Sequence, residues 1–119
     1  MTGYCAALCA AALRGIDEKL GVDPVVLDVR GLTDAFDAMV VCHARNDRQV
    51  RAVAEEIERQ IELAENVKPL RVEGLASAEW IALDYGDVLV HVFDEPAREY
   101  YDLEHLWRGA RAERPLPRA

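Results

Sequence analysis

The residues of this chain with the most chemistry to offer are gathered between Glu73 and Trp107, where nine acids stand against one base, Arg98. Trp80 and His91 lie on opposite arms of an expected hairpin there, and Asp84 and Asp87 flank its turn. Two kinds of chemistry suit such a set. Paired carboxylates, whether Asp84 with Asp87 or Asp34 with Asp37, hold a magnesium ion together with a nucleotide phosphate. A large aromatic ringed by acids anchors a protein interface instead, and the acidic rim steers a basic partner towards it. Against both stands the plain reading, in which Trp80 is core beneath a helix and the acids are screened by solvent.

Covalent catalysis finds little support. Thr33 and Ser77 sit in no nucleophile-elbow pattern, and Cys42 lies in an apolar strand where a thiol is inert. The glycines stand singly, so no phosphate cradle is expected. Cys5 and Cys9 share a helix face, but no second pair completes a metal site, and His43 is a lone imidazole at a strand end. We therefore expect no metal, no cofactor and no catalytic residue.

Charge narrows the partners. With 119 residues, 14 basic and 22 acidic, the chain carries a net charge of −8. That weighs against sequence-specific nucleic-acid binding, which relies on Lys and Arg at phosphates, and favours a basic protein surface. Only the end is basic, with Arg108, Arg111, Arg114 and Arg118 against Glu113. Three cysteines without a Cys-x-x-Cys unit fit a reduced cytoplasmic setting. The longest apolar stretch, Tyr4 to Leu13, is ten residues, half of what a membrane span needs, and reads as a mature helix rather than a signal.

The elements that would position these residues follow from periodicity. A first helix is expected from about Gly3 to Leu20, with Gly21 as its stop. Val25 to Val29 and Asp37 to Cys42 read as strands. Asn46 or Asp47 caps a long helix whose apolar positions run Val50, Val53, Ala54, Ile57, Ile61 and Ala64. Leu70 to Glu73 is a third strand, reached by a crossover that should be right-handed and leave its two strands parallel. Tyr85-Gly86 is the expected two-residue loop of a hairpin, which would set position 84 opposite 87 and 80 opposite 91. Period-two geometry puts Ile81, Leu83, Val88, Val90 and Val92 on a core face and Trp80, Ala82, Asp84, Asp87, Leu89, His91 and Phe93 on the other. Asp94 caps a last helix that carries Tyr100, Tyr101 and Trp107 and ends at Gly109.

These residues also carry a family resemblance. Glu73-Gly74, the run from Trp80 to Phe93, Arg98, Tyr100-Tyr101, Leu103-Glu104 and Leu106-Trp107 resemble the Iojap family of ribosomal silencing factors. Leu27 to Val29, Phe36 to Val41 and Arg48 to Val50 extend the likeness over about residues 8 to 108. It implies a cytoplasmic factor that binds the large ribosomal subunit through ribosomal protein number fourteen, sterically blocks subunit joining and so lowers translation when nutrients are scarce. It also implies a nucleotidyltransferase-like topology without the catalytic motif. Asp34 and Asp37 are three apart and would not share a strand face, which agrees. The chain departs from the pattern at Cys42 to Asn46, where the family shows a small Ser-Gly-x-Ser loop.

The expectation is thus an α/β (α+β) domain over residues 1–109, with a five-stranded mixed sheet flanked by helices, and a basic, disordered tail over 110–119. Glu73, Trp80, Asp84, Tyr85, Asp87, His91, Arg98 and Glu104 are the expected partner-binding residues. Two rivals stay open, a nucleotide-binding nucleotidyltransferase-like protein and a homodimeric scaffold.

Overall fold

Helix signals at each end of the chain's two long amphipathic runs are honoured in the computed structural model, which describes residues 1–115. Helix α1 (Gly3–Glu18) starts where the Thr2 hydroxyl accepts the Cys5 N–H at 3.1 Å. It ends two residues before the apolar spacing does, because Leu20 turns into the left-handed region and is exposed. Helix α2 (Asp47–Glu65) is capped by the Asn46 side chain on the Gln49 N–H at 2.9 Å and closes on Asn66 in the left-handed conformation. The strands are β1 (Val22–Asp28), β2 (Ala38–Ala44), β3 (Arg71–Glu73), β4 (Trp80–Asp84), β5 (Val88–Asp94) and β6 (Arg111–Glu113). Two short helices, α3 (Glu95–Tyr101) and α4 (Leu103–Leu106), lie between β5 and β6.

The sheet is mixed, in the order β3-β4-β5-β2-β1-β6, with only β2 and β5 parallel. Among the described residues six strands replace the expected five. The sixth comes from the segment expected to be a disordered tail, where Arg111 to Glu113 pair antiparallel with Asp28 to Val26; Pro117 and Arg118 of that tail lie outside the described residues. The crossover from β2 through α2 does deliver β3 pointing the same way as β2, but not beside it, since the β4–β5 hairpin fills the space between them.

A core cluster lies on each side of the sheet. On one side α1 and α2 bury Leu8, Ile16, Val53, Ile57 and Ile61 against Val40, Val90, Val92, Ile81 and Leu83. On the other, Leu103 of α4 covers Val25, Leu27, Met39, Val41 and Phe93, with Phe36 and Trp107 packed at its margin. The helix layer depends on one close approach. A Cβ at Gly15 of α1 would stand 2.7 Å from the Ile57 Cα of α2. Gly15→Ala is therefore expected to cost about 2 kcal/mol by prising the two helices apart, read as a lower denaturant midpoint with an unchanged slope.

Candidate functional site

The expected hairpin forms, one residue out of step. Its loop is Gly86-Asp87, with the Tyr85 N–H bonded to the Val88 carbonyl at 3.0 Å and Gly86 at φ +86°. A glycine in the first central position is what this turn requires. Trp80 consequently pairs with Phe93, Ala82 with His91 and Asp84 with Leu89. Asp84 and Asp87 do not face each other, because Asp87 is in the turn. Asp84 instead accepts the Gly86 N–H at 2.8 Å and lies 3.7 Å from the Arg71 guanidinium. The sorting of side chains between faces survives, because sliding the loop by one residue moves each pairing by two.

Tyr85 follows the same parity onto the helix side of the sheet, contrary to its expected place in the partner surface. It is 7% exposed and joins the core cluster under α1 and α2. Its hydroxyl has no hydrogen-bond partner there. Burial, with Glu58 and Glu62 nearby, pushes the phenol well above its usual range. Because an unpaired buried hydroxyl costs free energy, Tyr85→Phe is expected to be neutral to about 1 kcal/mol stabilising, checked by thermal melting.

The opposite face of β3, β4 and β5 is where the remaining hairpin residues meet. Register places Arg71, Glu73, Trp80, Ala82, Asp84, Leu89, His91 and Phe93 on it. The cover of α3 and α4 reaches only part of it: Phe93 is sealed and His91 nearly so, Trp80, Ala82, Asp84 and Leu89 are half-buried, and Arg71 and Glu73 are exposed. Trp80 is the hinge of this surface. Its ring lies 4.9 Å from that of Phe93 and 4.6 Å from that of Tyr101, centroid to centroid. Its Nε1–H donates to His91 Nδ1 at 2.9 Å. Tyr101, half exposed, and Tyr100, 82% exposed, continue the aromatic ground outwards. The indole is thus neither sealed core nor free surface; one edge is packed and the rest borders open aromatic area.

His91 accepts from Trp80 and must carry its proton on Nε2, which is buried without a partner. Burial lowers its pKa to about 4, so the ring is neutral near pH 7. Its role is to hold the indole rather than to meet a partner directly. Arg98 and Glu104 pair with each other instead of lining this face. Arg98 Nε donates to Glu104 Oε1 at 3.0 Å, and the remaining Glu104 oxygen takes Arg114 at 3.3 Å. Burial works against the Glu104 carboxylate, but the two guanidiniums outweigh it and hold its pKa below the ordinary value.

Sequence reasoning missed Arg71 and Tyr101 as members of the face. Arg71 is the cross-strand partner of Asp84, and strand order was the only signal that would have found it. Tyr101 reaches Trp80 because the expected single last helix breaks at Asp102, which takes φ +44° and serves as the end of α3 and the cap of α4. The cysteines offer nothing: burial pushes the thiols of Cys9 and Cys42 up to about 12. Among the described residues no helix is long and apolar enough to cross a membrane.

An aromatic platform with an acidic rim and no reactive side chain at its centre is equipped to bind. The chain also has relatives among known proteins. The model of a family described as ribosomal silencing factor during starvation matches residues 5–118. The ribosomal silencing factor RsfS of Bacillus subtilis (strain 168) is 38% identical over 99 residues, covering 83% of each chain. RsfS of Chromobacterium violaceum is 38% identical over 98 residues, covering 82% of this chain and 80% of its own. A mitochondrial Iojap-related protein of Arabidopsis thaliana is 36% identical over 75 residues, 60% of this chain and 40% of the plant protein. Among solved structures, a Chromobacterium violaceum protein superposes with a TM-score of 0.81 at 34% identity, covering 94% of this chain and 92% of that one. A Bacillus halodurans protein gives 0.73 at 35% identity, covering 84% and 92%.

Proposed function

We propose, starting from the membership of this chain in the ribosomal silencing factor family, that its open sheet face docks on the large ribosomal subunit and keeps the small subunit from joining. The chain acts by occupancy rather than turnover, and works in the cytoplasm. The contact is with ribosomal protein number fourteen, a partner that the family resemblance implies. The observation that carries this reading is Trp80, half-buried and braced by His91, Phe93 and Tyr101 at the edge of an acidic face. Trp80 and the tyrosines supply apolar area. Glu73, Asp84 and Asp87 supply negative charge for Lys and Arg of the partner. Tyr85, Arg98 and Glu104 act from behind, through the hairpin core and the seat of α3. A stable contact of this kind needs about 1,200 to 2,000 Å² in total.

Sedimentation of purified subunits tests the proposal. The protein should travel with the large subunit alone and diminish the peak of joined ribosomes when both subunits are present. A protein that stays at the top of the gradient, or travels with joined ribosomes without reducing them, would overturn it. Glu73→Lys with Asp84→Lys should weaken binding most at low salt, since rim charges act mainly through the rate of encounter.

A further inference from the structure

Helix α3 is the least anchored element beside the docking face. None of its seven residues is buried, and a helix so short has no stability of its own in water. Its ends are fixed by Phe93 before it and Leu103 after it, both in the second core cluster. Between them, Ala97 packs against that cluster and Tyr101 lies on Trp80 and Phe93, while Arg98 is the polar side chain that ties the helix to the sheet. With only 10% of that side chain exposed, Arg98 bonds Glu104 through Nε, and its Nη1 donates to the Val22 carbonyl at 3.2 Å and to His43 Nδ1 at 2.9 Å. A guanidinium only donates, so Nδ1 must offer its lone pair and the ring proton sits on Nε2, 3.7 Å from Glu95 Oε2.

We propose that His43 makes α3 a pH-responsive cover over Trp80: the neutral ring accepts from Arg98 and holds α3, with Tyr101, against the indole, whereas the protonated ring releases it. Protonation would replace the accepting lone pair by a second donor and set a second cation against the guanidinium. The charged groups around His43 are Glu95, Arg98 and Glu99 from α3, Asp102 between α3 and α4, Glu104 from α4 and Asp23 from β1, with Arg114 engaged through Glu104. Burial and Arg98 disfavour the imidazolium, Glu95, Asp23 and Glu104 favour it, and the net result holds the ring below its ordinary value. The cover is therefore closed above pH 6.5 and opens as pH falls through the lowered value. The device requires no partner, and its test stands or falls apart from ribosome binding.

The chain has two tryptophans, so Trp107→Phe leaves Trp80 as the only indole. In that background we expect Trp80 emission to shift to the red and acrylamide quenching to rise about twofold as pH is lowered from about 7.5 towards the onset of global unfolding, as a locally opened cover would allow. Adding His43→Asn, whose amide oxygen can take the place of Nδ1 without titrating, should remove most of both responses. Burial of His91 also resists the proton until about pH 4 and so favours opening in acid in either background, which makes the difference between the two backgrounds the quantity to read. Equal responses with and without His43, or none before circular dichroism shows global unfolding, would overturn the proposal. Should Trp107→Phe fail to fold, amide exchange at residues 97–101 decides in its place: acid-induced acceleration, corrected for the intrinsic rate, supports the cover if it disappears in His43→Asn and overturns it if it persists.

Discussion

Trp80→Ala is expected to weaken binding to the large ribosomal subunit by at least about 2 kcal/mol, roughly 30-fold in Kd. The effect is large because one side chain does three things at once. It presents apolar area, it backs Tyr101 at 4.6 Å, and it fixes the His91 ring through the Nε1–H bond. Its loss would leave Tyr101 without a support and His91 with an unmet acceptor. Some of the damage falls on the fold, about 2 kcal/mol for a half-buried aromatic truncated against Phe93. Two measurements separate the contributions. A binding isotherm well below the melting temperature reads the interface, and the melt reads the fold. Trp80→Phe keeps the ring stack and drops the donor, so it should retain most of the affinity. An unchanged Kd for Trp80→Ala, beside a lowered melting temperature, would remove Trp80 from the interface and leave it as a buttress.

Acid is expected to destabilise the fold by about 3 kcal/mol through His91 alone. In the folded chain its pKa falls from 6.5 to about 4, with burial as the cause, and each unit is worth about 1.4 kcal/mol. The sign follows from which state holds the proton. Between these two values the unfolded chain is protonated and the folded chain is not, so the contribution is complete above pH 6.5 and is lost as pH falls towards 4. Denaturant melts at intervals from pH 7.5 to 4 would show it as a stability slope. Carboxylates that are ion-paired in the fold slope the same way, so the diagnostic quantity is the difference from His91→Asn, which keeps an acceptor for Trp80 and cannot titrate. Curves that run parallel would mean that the imidazole is charged in place or reached by water.

Much of the architecture was readable in the residues because period and chemistry agreed. The helical spacing of Val50, Val53, Ile57 and Ile61 is the buried stripe of α2, and alternation along Trp80 to Phe93 assigned each side chain to its face. What escaped was whatever alternation does not encode. A glycine suits either central position of a two-residue turn under different turn types, so the loop and the pairings could not be placed to the residue. Tyr85 precedes a glycine, the mark of a turn, although its parity matches Ile81 and Leu83. Arg111 to Glu113 have no apolar pattern at all; only the unpaired flank of β1 makes them a strand. The break at Asp102 is a single left-handed residue inside a run of good helix formers. Of the candidate site, Trp80, Asp84 and His91 share one face as alternation demanded, and Glu73 joins them through the pairing of β3 with β4. Arg98 and Glu104 are engaged with each other, a pairing across six positions and a helix break that no local pattern reports.

The closing strand gives the far rim of the sheet a second meaning. While Arg111 to Glu113 lie along Val26 to Asp28, that half of the outer edge of β1 is paired from within. Trimming the chain after Gly109 would bare that rim, and an uncapped rim is a template on which another copy can zip. This stretch of charged residues thus serves as the molecule's selvage, and a shortened version is expected to reveal the loss first as clumping on storage rather than as a weaker grip on its target.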